Sequence, residues 1–97
     1  MILNKDYIKQ VVADYFKDKP VNKVHLFGSY ATGKANEDSD IDLAFSILPN
    51  TKISYFKLAG YLVDLEERLN KKVDLVEIEM FFPRIKKKYE SEKIELI

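Results

Sequence analysis

Asp40 and Asp42, two aspartates separated by one apolar residue, stand at the start of an apolar run that ends at Ile47. Side chains alternate across a β-strand, so this spacing predicts two carboxylates on the same face of one strand. Like charges this close repel each other unless a cation lies between them. A divalent ion with oxygen ligands removes that repulsion, and the main candidate is Mg²⁺ carrying substrate phosphates. Taken alone, an Asp-x-Asp pair is more typical of a solvated loop end.

A Gly-Ser pair, Gly28 and Ser29, follows a second short apolar run at residues 24–27, and ten residues separate it from Asp40. Glycine lets the backbone approach a ligand closely, and serine adds a hydroxyl and an exposed amide for a phosphate oxygen. Alone, such a pair indicates only a turn. Because it ends one strand while the Asp pair opens the next, we expect a phosphate-binding turn beside a metal site.

A third carboxylate, Asp74, lies within the apolar run at residues 73–76. If this run forms a strand next to the one that carries Asp40 and Asp42, the three carboxylates form a cluster able to hold two ions. The other interpretation is a lone aspartate at a strand edge beside Lys71 and Lys72. We favour the metal site because the other two motifs accompany it.

These motifs together resemble the nucleotidyltransferase superfamily that includes DNA polymerase β, and most closely its minimal nucleotidyltransferase (MNT) proteins. The matched signature is Gly-Ser, ten residues and Asp-x-Asp, followed by a further Asp on a later strand. The resemblance implies one domain over residues 1–97, with an α+β, two-layer fold in which helices pack on one face of a small mixed β-sheet. The site residues that it implies are the catalytic and metal-binding Asp40, Asp42 and Asp74, and the nucleotide-binding Gly28 and Ser29.

The activity implied by the resemblance is a Mg²⁺-dependent transfer of a nucleoside monophosphate from ATP to a hydroxyl, with release of pyrophosphate. Many minimal members are antitoxins that inactivate a helical HEPN ribonuclease by adding AMP to one of its tyrosines. We therefore expect a HEPN-type toxin as the partner, held in a stable hetero-oligomer. Relatives commonly have Ala-Arg-Gly where this chain has Ala31-Thr32-Gly33, so a cation near the nucleotide is missing, and Lys34 is the candidate substitute.

Two other functions remain open. A non-catalytic binding subunit would inhibit its partner by occlusion, and the missing arginine favours it. A small-molecule nucleotidyltransferase is the second, but the aminoglycoside enzymes carry an added domain for which 97 residues leave no room. Direct nucleic-acid binding is not expected, because 16 basic and 16 acidic residues leave no net charge.

Composition limits the class of protein further. Hydrophobic residues make up 46% of the chain, which is typical of a folded domain. The absence of cysteine excludes a disulfide scaffold and a thiolate zinc site. No apolar run approaches the roughly 20 residues of a membrane-spanning helix, so the sequence predicts a cytoplasmic protein.

Hydrophobic periodicity predicts the order α, β, turn, β, α, β, α and a short terminal strand at residues 94–97. The first helix spans residues 4–17 with Asn4 as its cap, the second spans about 54–69 and is closed by Asn70, and the third spans 81 to about 89. The second helix is expected to bury a stripe of seven residues: Phe56, Leu58, Ala59, Leu62, Val63, Leu65 and Leu69.

Aromatic and basic residues outside the motifs lead to three further expectations. Most of five aromatic side chains should lie in the core, while some of them dock a partner: Tyr55, Phe56, Tyr61, Phe81 and Phe82. His25 should be a partly exposed strand residue. The basic cluster of Arg84 and residues 86–88 should form a solvated helix face.

Overall fold

The computed structural model describes residues 2–80 and 83–97, and only the backbone of residues 83–85. In chain order the elements are α1 (Lys5–Phe16), β1 (Val21–Phe27), α2 (Gly28–Thr32), β2 (Ile41–Ile47), α3 (Tyr55–Leu69), β3 (Val73–Glu77), one 3₁₀ turn (Ile78–Met80), α4 (Pro83–Glu92) and β4 (Ile94–Glu95). The predicted order is confirmed, although β1 begins three residues earlier and α4 ends three residues later than expected. The predictions for Phe81 and Phe82 lie outside the described residues.

The sheet has the strand order β3-β2-β1-β4. Strand β1 pairs antiparallel with both β2 and β4, whereas β2 and β3 pair parallel. Parallel neighbours require a crossover connection, and α3 provides it. The sheet is therefore mixed, as the family resemblance implied. No helix in the described ranges 2–80 and 83–97 has the length and apolarity needed to cross a membrane.

Side chains and backbone geometry set the helix ends. The Asn4 side chain accepts a hydrogen bond of 2.7 Å from the Asp6 amide, which caps the start of α1. The Ser54 hydroxyl oxygen accepts a hydrogen bond of 3.1 Å from the Lys57 amide and caps α3. Asn70 adopts a left-handed conformation at φ 52°, so the chain leaves α3 there. The caps predicted at Asn4 and Asn70 are confirmed.

Helices α1 and α3 pack on one face of the sheet and form the main core with it. Its fully buried side chains come from both helices and from the two central strands: Ile8, Val12, Phe16, Val24, Leu26, Ile41, Leu43, Leu65 and Leu69. The seven-residue stripe predicted for α3 is wrong at Phe56, Ala59 and Val63, which are exposed. A helix lying on a sheet buries only the narrow stripe that touches it, and here Tyr61, Leu65 and Leu69 form that stripe.

The opposite face of the sheet is covered near its β4 edge by Tyr89 of α4. A hydrogen bond joins the Tyr89 hydroxyl to Nδ1 of His25, and the two rings stack at a centroid distance of 5.9 Å. Phe27 meets the same tyrosine edge-on at 5.8 Å. Burial lowers the pKa of His25 and raises the pKa of Tyr89 to about 12. The prediction of a partly exposed His25 is therefore wrong, because α4 returns from far along the chain to bury it.

The basic residues of α4 are solvated as predicted. Lys86, Lys87 and Lys88 are all exposed, while Tyr89, the next residue, is buried against the sheet. The side chain of Arg84 lies outside the described residues.

We expect Tyr89→Phe to lower the free energy of unfolding by about 1–2 kcal/mol, because it leaves a buried imidazole nitrogen without its partner. Tyr55→Phe is the matched control, since Tyr55 is 89% exposed and the variant should leave the free energy of unfolding almost unchanged. Urea denaturation at pH 7 measures both. Equal stability of the two variants would contradict the packing of α4 on this face.

Candidate active site

The strand register brings two of the three predicted carboxylates together. Asp42 and Asp74 are direct partners across the parallel pair β2–β3, so their side chains are neighbours on one face. This face is opposite to the one from which Leu43 and Phe45 enter the core. Asp40 stands one residue before β2, where the amide of Ile41 donates a 2.9 Å hydrogen bond to the carbonyl of Lys72.

Gly28 lies in contact with the Asp42 carboxylate. Phe27, at the end of β1, is the cross-strand partner of Asp42, so the chain must turn away beside that carboxylate. Gly28 makes this turn at φ +71°, and a Cβ built on it would lie 2.1 Å from Oδ2 of Asp42. Glycine is required at this position for its conformation and for its lack of a side chain. The Gly-Ser turn and the acidic side chains thus belong to one site.

Asp42 is the electrostatic centre of this site. Its half-buried position raises the pKa of its carboxyl to about 6, and the negative charges of Asp74 and Asp40 add to the effect of burial. Both other carboxylates are therefore close enough to act on Asp42. A cation between them would lower that pKa again.

The oxygen donors fit a hard divalent ion, although no ion-binding cage is preformed. Within residues 2–80 and 83–97, no three acidic, imidazole or thiolate side chains are grouped as a metal-binding cluster. Asp40, Asp42 and Asp74 offer carboxylate oxygens only, the donor type that Mg²⁺ prefers. Without a cation, mutual repulsion favours separated carboxylates.

The short helix α2 follows the Gly28 turn and carries Ser29 in its first turn. The Ser29 carbonyl accepts hydrogen bonds from the amides of Gly33 and Lys34, the latter at 2.9 Å. The Thr32 hydroxyl donates to the carbonyls of Gly28 and Ser29 at 3.3 and 3.4 Å. The Thr32 side chain is therefore bonded within α2, and it supplies no cation at the position where the sequence resemblance led us to expect an arginine.

Sequence reasoning named all five candidate residues but missed the contact between Gly28 and Asp42. It assigned Gly28 to phosphate approach alone, because the contact depends on the antiparallel register of β1 and β2. The sequence feature that could have indicated this contact is the shortness of the two apolar runs that form β1 and β2. It places the end of β1 beside the start of β2.

A mixed sheet with an Asp-x-Asp strand, a neighbouring aspartate and a Gly-Ser turn is the architecture of a nucleotidyltransferase. The family described as "Polymerase beta, Nucleotidyltransferase" matches residues 9–97. The chain belongs to this family, and it is a nucleotidyltransferase.

Known proteins agree with this assignment. A relative from Methanocaldococcus jannaschii, which bears the name "Putative protein adenylyltransferase", is 34% identical over 87 residues, which cover 89% of this chain and 84% of the relative. A toxin–antitoxin complex solved with AMP-PNP has a chain that superposes with a TM-score of 0.77 at 21% identity, covering 92% of this chain and 72% of that one. The fold also matches a chain of a complex between an MNT antitoxin and a tri-AMPylated HEPN toxin from Shewanella oneidensis. The TM-score of this match is 0.72 at 18% identity, and it covers 97% of this chain and 72% of the matched chain.

Proposed function

We propose that residues 1–97 act as a single domain that transfers AMP from ATP to a tyrosine hydroxyl of a HEPN-type toxin. The two proteins would form a stable hetero-oligomer in the cytoplasm, and the modification would neutralise the toxin. The observation that carries the proposal is the contact of Gly28 with the Asp42 carboxylate beside Asp74. Phosphate binding and charge neutralisation in one site are what nucleotidyl transfer requires.

Two structural neighbours support ATP as the donor and a toxin as the acceptor of AMP. AMP-PNP in one structural neighbour is an analogue of ATP, which agrees with ATP as the donor. The AMPylated HEPN toxin bound to an MNT antitoxin in the other agrees with a toxin as the acceptor.

In this proposal, Asp40, Asp42 and Asp74 hold Mg²⁺, and Gly28 and Ser29 bind the β- and γ-phosphates of ATP. The bound ions supply charge neutralisation of the triphosphate and a more acidic acceptor hydroxyl. The contact with Gly28 fixes the carboxylate of Asp42 against the phosphate-binding turn, so donor and acidic side chains are oriented together.

The reaction consists of one in-line displacement. The tyrosine oxygen forms a bond to the α-phosphorus, and the bond from that phosphorus to the oxygen bridging the β-phosphate breaks. Pyrophosphate leaves with the electron pair. The phenolic proton passes to solvent beside Asp74, which is exposed at the outer strand of the sheet.

A non-catalytic antitoxin is the second candidate function. Thr32 favours it, since its hydroxyl is bonded within α2 and brings no positive charge to the nucleotide. Lys34 directly follows the left-handed Gly33 and is exposed, so it is the replacement cation if the enzyme is active. The pairing of Asp42 with Asp74 favours catalysis, because clustered carboxylates reduce stability unless they bind a cation.

Labelled ATP tests the proposal. After incubation with Mg²⁺ and the purified HEPN-type toxin, label from the α-phosphate should appear on the toxin and label from the γ-phosphate should not. Peptide mapping should locate it on a tyrosine, and a toxin with phenylalanine at that tyrosine serves as the control. A stable complex that acquires label from neither position would contradict AMP transfer and favour inhibition by occlusion.

A further inference from the structure

Strand β3 forms one edge of the sheet, and half of its backbone faces away from β2. The register pairs Ile41 with Val73, and the amide of Ile41 donates to Lys72, so the backbone groups of Val73, Leu75 and Glu77 point outward. The amide of Val73 donates to Oε2 of Glu66 on α3 at 3.1 Å. No strand within the described residues pairs with the outer edge beyond that point.

An apolar groove runs along this edge. It has a volume of about 310 Å³ and lies between β3 and the first half of α3. Its lining includes Phe45 of β2, Tyr55 and Leu58 of α3, Leu75 and Glu77 of β3, and Met80. Tyr55 is 89% exposed and Met80 71%, so large apolar side chains flank the outer edge of β3. Proteins protect such edges unless another chain pairs with them.

The edge is continuous with the candidate active site. Leu75 and Glu77 turn their side chains toward the groove, whereas Asp74 between Val73 and Leu75 turns its carboxylate to the other face. A strand added about 4.8 Å outside β3 would also alternate its side chains between the two faces. Its residue opposite Asp74 would lie beside the carboxylates, and the next residue would enter the groove.

We propose that an extended segment of the acceptor protein adds to the outer edge of β3, which brings its acceptor hydroxyl beside Asp74 and an adjacent apolar side chain into the groove. This inference rests on the proposed function, for which it names the acceptor-binding surface. Main-chain hydrogen bonds to Leu75 supply affinity, and the groove selects the residue next to the acceptor.

Charges at the two ends of β3 give the segment its direction. Lys72 is exposed at the end where Asp74 lies, and Lys71 beside it donates to the carbonyl of Glu37. Glu77 and the exposed Glu79 lie at the other end. The segment that complements this edge is acidic near Lys72 and basic near Glu77.

Two neighbouring aromatic residues provide a matched test. Tyr55 lines the groove beside β3, while Phe56, which is 90% exposed, lines a different groove beside Tyr15 of α1. With Mg²⁺, ATP and the HEPN-type toxin as acceptor, Tyr55→Lys should raise KM for the toxin by about tenfold or more, because it removes an aromatic anchor. The KM for ATP should not change, and Phe56→Lys should leave both values unchanged. Equal effects of the two variants would overturn the proposal.

Hydrogen exchange separates this inference from the proposed function. Binding of the toxin should protect the amides of Leu75 and Glu77. If complex formation protects them but no AMP is transferred, the docking surface stands and the catalytic proposal fails. If AMP is transferred without protection of residues 75–77, the docking surface is wrong and the catalytic proposal stands. A dimer of this chain that Tyr55→Lys abolishes would assign the edge to a second copy, and would also overturn the inference.

Discussion

Asp42→Asn is expected to reduce AMP transfer by more than about 10³-fold and, at the same time, to stabilise the ion-free protein. The transfer is lost because the variant removes the central charge of the proposed ion-binding site, a contribution that is often the largest in catalysis. Stability increases because the same charge is unfavourable in the folded chain. Its carboxyl has a pKa of about 6, compared with an ordinary value of 3.8.

The sign of the stability effect follows from that shift. Well below pH 3.8 the carboxyl is protonated in both the folded and the unfolded chain, so it costs nothing. Between pH 3.8 and about 6 the unfolded chain is ionised first, and stability decreases as pH rises. Above pH 6 the penalty is complete, and the Asp42→Asn variant avoids it because its amide carries no charge. We expect a gain of about 1 kcal/mol at pH 7.5, since solvent screens a carboxylate that is only half-buried.

Urea denaturation with and without Mg²⁺ measures this prediction beside the transfer assay. Mg²⁺ should stabilise the wild-type chain and have little effect on Asp42→Asn. Asp18→Asn is the control, because this exposed carboxylate precedes the start of β1, whereas Gly28 follows its end, and the variant should leave transfer and the effect of Mg²⁺ unchanged. An Asp42→Asn variant that is less stable than wild type in the absence of ions, or that retains transfer, would contradict the assigned role.

Gly28→Ala is expected to reduce transfer by about 100-fold or more and to destabilise the fold. The added Cβ would lie 2.1 Å from Oδ2 of Asp42, so the carboxylate or the turn has to move. A displacement of about 1 Å at a catalytic group can cost two orders of magnitude in rate. The left-handed φ of +71° adds strain of about 1–2 kcal/mol.

Gly33→Ala provides the matched control for Gly28→Ala. Gly33 has a similar φ of +77°, but among residues 2–80 and 83–97 no atom outside the local backbone and the two chain neighbours lies within 4 Å of a Cβ built there. It should therefore lose about 1–2 kcal/mol of stability from strain and retain transfer. In an Asp42→Ala background, the destabilisation by Gly28→Ala should decrease, because the clashing carboxylate is absent. Equal activity of Gly28→Ala and Gly33→Ala would show that AMP transfer does not depend on the contact between Gly28 and Asp42.

The sequence was sufficient for the parts of the fold that depend on local patterns. Helical periodicity located α1 and α3, and Asn4 and Asn70 marked two of their ends because capping depends on neighbouring residues. The exposure of Phe56 and Val63 could not be predicted, since it depends on where the sheet ends beneath α3. The burial of His25 depends equally on a distant residue, Tyr89.

Only some features of the candidate site could likewise be predicted from the sequence. Strand periodicity predicted Asp40 and Asp42 on one strand face, but β2 begins at Ile41, so Asp40 lies one residue before the strand. The condition set for Asp74 is met, because β3 pairs with β2 and places Asp74 opposite Asp42. The contact between Gly28 and Asp42 was not predicted, because it arises from the register between two strands. Patterns within one helix or strand could thus be predicted from the sequence, whereas side-chain contacts between elements required the structure.

Intact mass spectrometry of the HEPN-type toxin decides whether this chain transfers AMP to it. The toxin is incubated with this protein, Mg²⁺ and ATP, and in parallel with the Asp40→Asn/Asp42→Asn double variant. We expect the toxin to gain the mass of one or more AMP units with the wild-type protein and none with the double variant. An unchanged toxin mass in a stable complex with the wild-type protein would show that this chain does not transfer AMP to the toxin.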